Sequence, residues 1–270
     1  MHTLDSWERE KQTGPVEAKG RSSALEKEQY EILFQMEERH WWYLGMQRIT
    51  GSLLSRHVPP GRVARMLDAG CGTGGMTQYL QTFGSAVGVD LSEDAIAFCR
   101  RRRLPAVVQG SIERLPFADE AFDLVVSLDV LYHQKVGDDI QALREFNRVL
   151  SPGGIAIVRV PACNWLRGAH DVAVHTRHRY RSSELAGKLS EAGFYIRKMT
   201  YVNCLLFPIA ALKRLMEGNE PSLQPDLALP PRLVNRTLTG ILALESALLR
   251  FSPLPWGLSV LAVAEKTAKA

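Results

Sequence analysis

The stretch Met66-Leu67-Asp68-Ala69-Gly70-Cys71-Gly72-Thr73-Gly74-Gly75 decides how this chain is read. A short apolar run enters a cluster of glycines, after which Met76, Leu80 and Phe83 recur on one helical face. The pattern predicts a strand, a tight turn and a helix. Glycines belong where backbone must come very close to a ligand, because a side chain would block the approach. The next apolar run, Ala86 to Asp90, ends on an acid that can accept two hydroxyls of a ribose. The two runs together describe an edge built to hold a nucleoside.

Strand and helix patterns alternate outward from this unit, which implies a parallel sheet. Strands are expected at Met66–Ala69, Ala86–Asp90, Ala106–Gln109, Leu124–Leu128, Ile155–Val160, Phe194–Tyr201 and Ser259–Glu265. Ser92 reads as a helix cap, with Glu93 and Asp94 in the first turn and Arg100–Arg103 at the far end, an order that suits the helix dipole. The arginine run reads as a solvated helix end. Helices follow over Ile140–Leu150 and Ser183–Ala192, the first stopped by Ser151-Pro152-Gly153-Gly154 and the second by Gly193. The expected fold class is α/β: a doubly wound, mostly parallel seven-stranded sheet.

The 270 residues, 46% of them hydrophobic, suit one large domain with additions. Residues 1–60 read as a polar arm and a helical lid, 61–201 as the nucleoside-binding core, and 257–270 as the last strand and tail. Residues 202–256, far longer than an ordinary connection, read as a helical insertion over the substrate side. Leu205-Leu206-Phe207-Pro208-Ile209 and a run from Leu238 to Leu249 make this insertion apolar. A net charge of +4 does not by itself argue for nucleic acid. No apolar run reaches membrane-spanning length, and peripheral membrane contact stays open. The cysteines Cys71, Cys99, Cys163 and Cys204 lack metal-ligand spacing and no signal-peptide pattern precedes them, so a cytoplasmic protein with reduced thiols is expected and no metal.

Gly70-x-Gly72-x-x-Gly75 fits a dinucleotide fingerprint literally, and a nicotinamide-dependent oxidoreductase is one reading. Asp68, before the first glycine, points elsewhere: an acid there would repel a diphosphate and suits a ligand carrying an ammonium and a sulfonium. Asp68-x-Gly70-x-Gly72-x-Gly74 resembles motif I of the class I S-adenosylmethionine (SAM) dependent methyltransferases. Further stretches resemble the small-molecule, methyltransferase type 11-like branch in the same order. They are Gly110-Ser111-Ile112, Leu115-Pro116-Phe117, Phe122-Asp123-Leu124-Val125, Ser127-Leu128-Asp129 with Leu131-Tyr132-His133, and Arg144-Glu145-Phe146 with Arg148-Val149-Leu150-Ser151-Pro152-Gly153-Gly154. The resemblance covers roughly Val63 to Tyr201 and the last strand. It implies SAM as cofactor and S-adenosylhomocysteine as product. It places Asp68, Gly70, Cys71, Gly72, Gly74, Asp90, Leu91, Ser111, Ile112 and Leu128 around the cofactor, with Ser111 where the family often has an acid.

The activity implied is methyl transfer to a small-molecule or lipid-like acceptor, hydrophobic because of the insertion and anionic because of Arg177-His178-Arg179-Tyr180-Arg181. A SAM fold catalysing a non-methylating rearrangement is the other alternative. Nucleic-acid methylation is disfavoured by Ser127-Leu128-Asp129-Val130, which lacks the Asn/Asp-Pro-Pro-Tyr pattern. Candidate bases are His133 after the fourth strand, and His170 (next to Asp171) and His175 in the loop after the fifth, where titratable groups cluster. Trp41-Trp42-Tyr43 reads either as core packing or as part of the lid, with the Tyr43 hydroxyl pointed at the ligand.

Overall fold

The computed structural model describes residues 27–57, 64–168, 171–172, 174–217 and 228–267. The amino-terminal arm, His170, most of the proline-rich stretch and the linker around Pro59 and Pro60 lie outside them. Seven strands form one sheet in the order β3-β2-β1-β4-β5-β7-β6. They are β1 (Ala64–Ala69), β2 (Gly84–Asp90), β3 (Val107–Gln109), β4 (Phe122–Leu128), β5 (Leu150–Pro161), β6 (Phe194–Val202) and β7 (Ser259–Lys266). β1 to β5 run parallel, and β7 is antiparallel to both β5 and β6. The seven-stranded, mostly parallel expectation therefore holds.

The strand order reverses between β1 and β4, which pair with each other directly. In doubly wound sheets the crevice beyond the carboxyl ends of such strands is where ligands bind. Both faces of β1 must be covered for this to work, and its pattern of near-continuous burial agrees.

The helices are α1 (27–36), α2 (Trp41–His57), α3 (Gly75–Leu80), α4 (Glu93–Arg101), α5 (Asp139–Val149), α6 (Ser182–Glu191), α7 (Phe207–Glu217) and α8 (Arg232–Leu248). One face of the sheet packs Leu143, Phe146, Leu185 and Leu189 from α5 and α6 onto Val125, Ala156 and Val158. The other packs Met46, Ile49, Leu53 and Leu54 of α2 and Leu242 of α8 onto Leu124, Val126, Ile155 and Ile157. Full burial of such side chains contributes roughly 1.5–3 kcal/mol each. Ser92 caps α4 by accepting from the Ala95 N–H, and Asp138 caps α5 at Gln141.

Two helices, α7 and α8, connect β6 to β7. α8 lies against α2 so closely that a Cβ on Gly45 would sit 2.2 Å from Leu242 Cδ1. Asn235 accepts from the Trp41 N–H and donates to the Arg39 carbonyl at one end of this contact. At the other end the fully buried Glu245 carboxylate accepts from the N–H groups of Asn203, Cys204 and Leu205. α8 thus completes the helical layer behind the sheet, while only the start of α7 approaches the ligand edge, where Phe207 meets Trp165 at 6.0 Å between ring centres. No helix among the described residues is long and apolar enough to cross a membrane.

Candidate active site

The glycine turn after β1 owes its shape to three left-handed residues, Gly70 (φ +87), Gly72 (φ +53) and Gly74 (φ +86). Their reasons differ. A Cβ on Gly70 would lie 2.3 Å from Val130 of the turn after β4, and one on Gly74 would lie 2.4 Å from Leu104. Those two glycines admit neighbouring protein. Gly72 meets only Leu33, at 3.6 Å, and presents the open side of the turn. Its N–H donates to Asp90 Oδ2 at 2.9 Å, while Oδ1 accepts from the Ser92 N–H at 2.9 Å. Asp90 is therefore locked at the end of β2 with its carboxylate beside the turn.

Three acids, Asp68, Asp90 and Glu37, converge around the turn. Asp68 is 2% exposed and accepts from Thr77 Oγ1 at 2.6 Å. Burial pushes its carboxyl up to about 7, and the fields of Glu37 and Asp90 add to the rise. Burial likewise raises Asp90 and Glu37 above the usual carboxylate range. An edge of this kind disfavours further negative charge and gains from a bound cation.

The turn is closed from above by the amino-terminal helices, and two residues that carry no sequence signal hold the closure. Glu37, just past α1, accepts from Thr73 Oγ1 and from the Gly75 N–H at 3.1 Å, so it caps α3. Arg102 meets Glu37 at 2.7 Å and Glu38 at 2.6 Å, and donates to the carbonyls of Thr73 and Phe34 at 2.7 and 3.1 Å. Its side chain is 2% exposed. The expectation of a solvated arginine run is corrected for this residue: α4 ends against α1, and the charge order that suits its dipole also delivers Arg102 into the interface. Arg101 stays at the surface with Glu31.

The second wall is formed by the ends of β4 and β5. Asp129 has a left-handed backbone (φ +58) and its N–H donates to the Arg159 carbonyl. Its Oδ2 accepts from Arg159 Nε at 3.1 Å and Nη2 at 2.6 Å. The Arg159 guanidinium stands 5.7 Å from the centre of the Trp42 ring on α2. Tyr43 and Tyr132 have hydroxyls raised above their ordinary range, chiefly by burial and then by nearby carboxylates, Asp129 among them for both. Trp41 and Trp42 pack on the core under α2, so the aromatic trio divides: the indoles anchor the helix and Tyr43 faces the charged wall.

The remaining sequence-predicted residues fall as follows. Leu91 is 49% exposed, beside Asp90, and Leu128 is half-buried at the end of β4. Ser111 bridges to Arg114 and accepts from the Glu113 N–H, and Ile112 is buried next to it. Cys71 Sγ faces Cys99 Sγ at 3.8 Å and points into the protein. His133 and His175 are brought together, their rings 5.7 Å apart, with His133 Nδ1 accepting from the Lys135 N–H.

Two of the three arginines expected to grip an anionic acceptor, Arg177 and Arg179, are otherwise engaged. Arg177 donates to the carbonyls of Val136 and Gly137 and pairs with Asp139 at 3.2 Å; Arg179 pairs with the buried Asp171 at 2.8 Å and donates to the Ala162 carbonyl. Asp139 also accepts from Tyr180 and Lys188, and is held below the usual carboxylate range by those partners despite its burial. This network fastens the loop after β5 to α5 and α6. For Arg177 and Arg179 it corrects the reading of an anion clamp, because Asp139 from 38 residues away, Asp171 of the same loop and main-chain carbonyls take up the guanidinium donors.

A family model described as a methyltransferase domain matches residues 67–158. The malonyl-[acyl-carrier protein] O-methyltransferase of Enterobacter lignolyticus is 40% identical over 113 residues, 41% of this chain and 44% of that protein. The fatty-acid O-methyltransferase of Mycolicibacterium smegmatis is 44% identical over 96 residues, 33% of this chain and 34% of that protein. The chain thus spans less than half the length of these curated relatives. Among solved structures, a chain from the complex between the Haloferax volcanii Trm112 methyltransferase activator and the putative methyltransferase superposes with a TM-score of 0.58 at 20% identity, covering 87% of this chain and 93% of that one. That likeness concerns the fold. The residues at the turn fit a cationic sulfur nucleoside: backbone open at Gly72, a fixed acid at Asp90, and the buried acid Asp68 near it.

Proposed function

Because the chain belongs to the class I SAM-dependent methyltransferases, we propose that it transfers the methyl group of SAM to an oxygen of a lipid-like acceptor that carries an anionic group. The observation that carries this reading is the acidic edge at Asp68 and Asp90, with Asp90 braced by the Gly72 and Ser92 N–H groups, joined through Gly70 and Val130 to a second, partly aromatic wall. When bound, SAM supplies a methyl on a positive sulfur, which needs no further activation of its leaving group.

The chain's own residues supply position. Asp90 takes the ribose hydroxyls in this reading, with its orientation already set by Gly72 and Ser92. Gly72 leaves room for the rest of the ligand under Leu33, and Glu37 with Arg102 keeps α1 down so that water is displaced. Aligning an acceptor oxygen with the methyl at near-attack distance accounts for much of the rate in such transfers. Trp165, Leu205, Ile209 and Leu212 form an exposed apolar rim around the start of α7, which supports a hydrophobic acceptor, as do the acyl substrates in the names of the two relatives. His133 and His175 remain the proposed proton acceptors for an acceptor that must lose a proton, and Tyr43, kept neutral by burial, the proposed hydroxyl donor toward the ligand.

The test is calorimetry with S-adenosylhomocysteine followed by incubation with methyl-labelled SAM and a panel of acyl, prenyl and sterol acceptors. Saturable binding and label in an organic-soluble product are expected. Binding without S-adenosylhomocysteine production from SAM on any acceptor would transfer the fold to the rearrangement reading, and turnover confined to protein or RNA would refute the acceptor class.

A further inference from the structure

Arg159 has one donor with nothing to do. The side chain is 6% exposed, and Nε and Nη2 are both taken by a single oxygen of Asp129. Nη1 is buried and has no hydrogen-bond partner among the described residues. A buried guanidinium N–H left unpaired costs more than a neutral donor would, so the arrangement calls for an acceptor. The surroundings point to the ligand edge. Arg159 is the last residue of β5 in register with β4, directly opposite Leu128 and beside Asp129 in its left-handed conformation. Val130, the next residue, closes on Gly70 of the glycine turn, and Trp42 and Tyr43 of α2 bound the other side. Asp, among non-glycine residues, tolerates a left-handed backbone, yet such outliers still cluster at functional sites.

We infer that Arg159 Nη1 anchors the acceptor, and that the group it anchors is the carboxylate that receives the methyl. This deepens the proposed methyl transfer and rests on it. The guanidinium grips one oxygen only, because its planar fork is already committed to Asp129. A bidentate clamp would hold both carboxylate oxygens; the one free nitrogen, Nη1, whose two N–H groups diverge, holds one and leaves the other to attack. The neighbouring Asp129 offsets the charge of Arg159, so the carboxylate is oriented without being strongly depleted of electron density. In the step itself a lone pair of the free oxygen forms a bond to the methyl carbon, the carbon–sulfur bond breaks, and its electron pair stays on sulfur. The products are a methyl ester and neutral S-adenosylhomocysteine. No proton moves, since a carboxylic acid is already ionised at neutral pH. The inference therefore removes the need for a histidine base.

The experiment compares dodecanoate, dodecan-1-ol and dodecanamide as acceptors for the full chain with labelled SAM, alongside calorimetric binding of S-adenosylhomocysteine. Methylation of dodecanoate alone is expected. Arg159→Gln should raise KM for dodecanoate about 100-fold, the scale of one charge-assisted hydrogen bond, with the S-adenosylhomocysteine Kd within about threefold of the parent, and Arg159→Lys should recover part of the loss. Asp129→Asn frees the fork, and should lower KM while lowering kcat, a split that a purely structural ion pair does not produce. If Arg159→Gln fails to fold, the double variant Asp129→Asn/Arg159→Met, which leaves no unpaired charge, takes its place with the same expected rise in KM. Unchanged KM in a folded variant that binds S-adenosylhomocysteine, or equal turnover of the alcohol, overturns the anchor while sparing methyl transfer. Failure of the parent protein to bind S-adenosylhomocysteine would instead remove the reading on which the anchor rests.

Discussion

The glycine turn after β1 and the arginine-rich loop after β5 both border the carboxyl edge of the sheet, yet they use polar groups in opposite ways. At the turn, backbone makes the shape, and of the three acids gathered there Glu37 is held in an ion pair with Arg102, while Asp90 is braced by backbone N–H groups. In the loop, Arg177 and Arg179 are matched to Asp139 and Asp171 and to main-chain carbonyls, so that charge there serves construction. Unbalanced charge at a concave edge marks a place prepared for a ligand. Balanced charge, however dense, marks a fastening. Arg159 carries both characters: two donors paired, one left over.

Substitutions sharpen the contrast. The largest effect is expected at Arg102, the fastening of the lid. Arg102→Ala leaves Glu37 buried beside Asp68 without its cation, and should cost about 3–5 kcal/mol in urea unfolding, as removal of one partner from a buried pair does. A loss below about 1 kcal/mol would mean that α1 does not hold the turn. At Asp90, removal of the carboxylate takes away the ribose contact and the brace on Gly72 and Ser92. Asp90→Ala should weaken S-adenosylhomocysteine about 100-fold by calorimetry, the scale of losing hydrogen bonds to a charged group; undiminished affinity would relocate the nucleoside.

Arg179→Ala tests the loop. If its role is to fasten Asp171, stability should fall by about 2 kcal/mol and the acceptor KM should stay within about threefold once the protein is folded. A large rise in KM with unchanged melting would restore the anion clamp. The smallest effect concerns pH. The Asp68 carboxyl is near 7 in the folded chain and ordinarily 3.8, so the folded state takes up its proton first on acidification. Its contribution to stability is fully present below the ordinary value and lost as pH rises through about 7. Asp68→Asn should flatten that part of the melting-temperature profile of the ligand-free protein, and an unaltered slope would show that another group titrates there.

Much of the nucleoside side was legible because the information is local. Gly70, Gly72, Gly74 and Asp90 lie within one strand-turn-helix-strand unit, and glycine spacing with a terminal acid is enough to describe it. Even there the glycines turned out to answer different neighbours, two of them protein. The lid was legible as a helix with aromatic residues but its latch was not, since Glu37 and Arg102 stand 65 residues apart and each looks like an ordinary surface charge. Separations of 38, 41 and 49 residues hid Asp139, which follows an unremarkable capping aspartate yet gathers Arg177, Tyr180 and Lys188. The insertion was legible as apolar helix, but its packing against α2 at Gly45 made much of it a layer of the core.

By itself the sequence determined the alternation of strands and helices and the acid-edged turn, because each follows from periodicity or from residue types with few permitted conformations. Tertiary structure alone decided which charges are free. Whether a guanidinium or a carboxylate is matched depends on groups brought from distant parts of the chain into a space without water, and no local pattern records that meeting. Asp139 taking up Arg177 from 38 residues away while Arg159 keeps one donor nitrogen unpaired is a difference of packing geometry between two arginines that read alike along the chain.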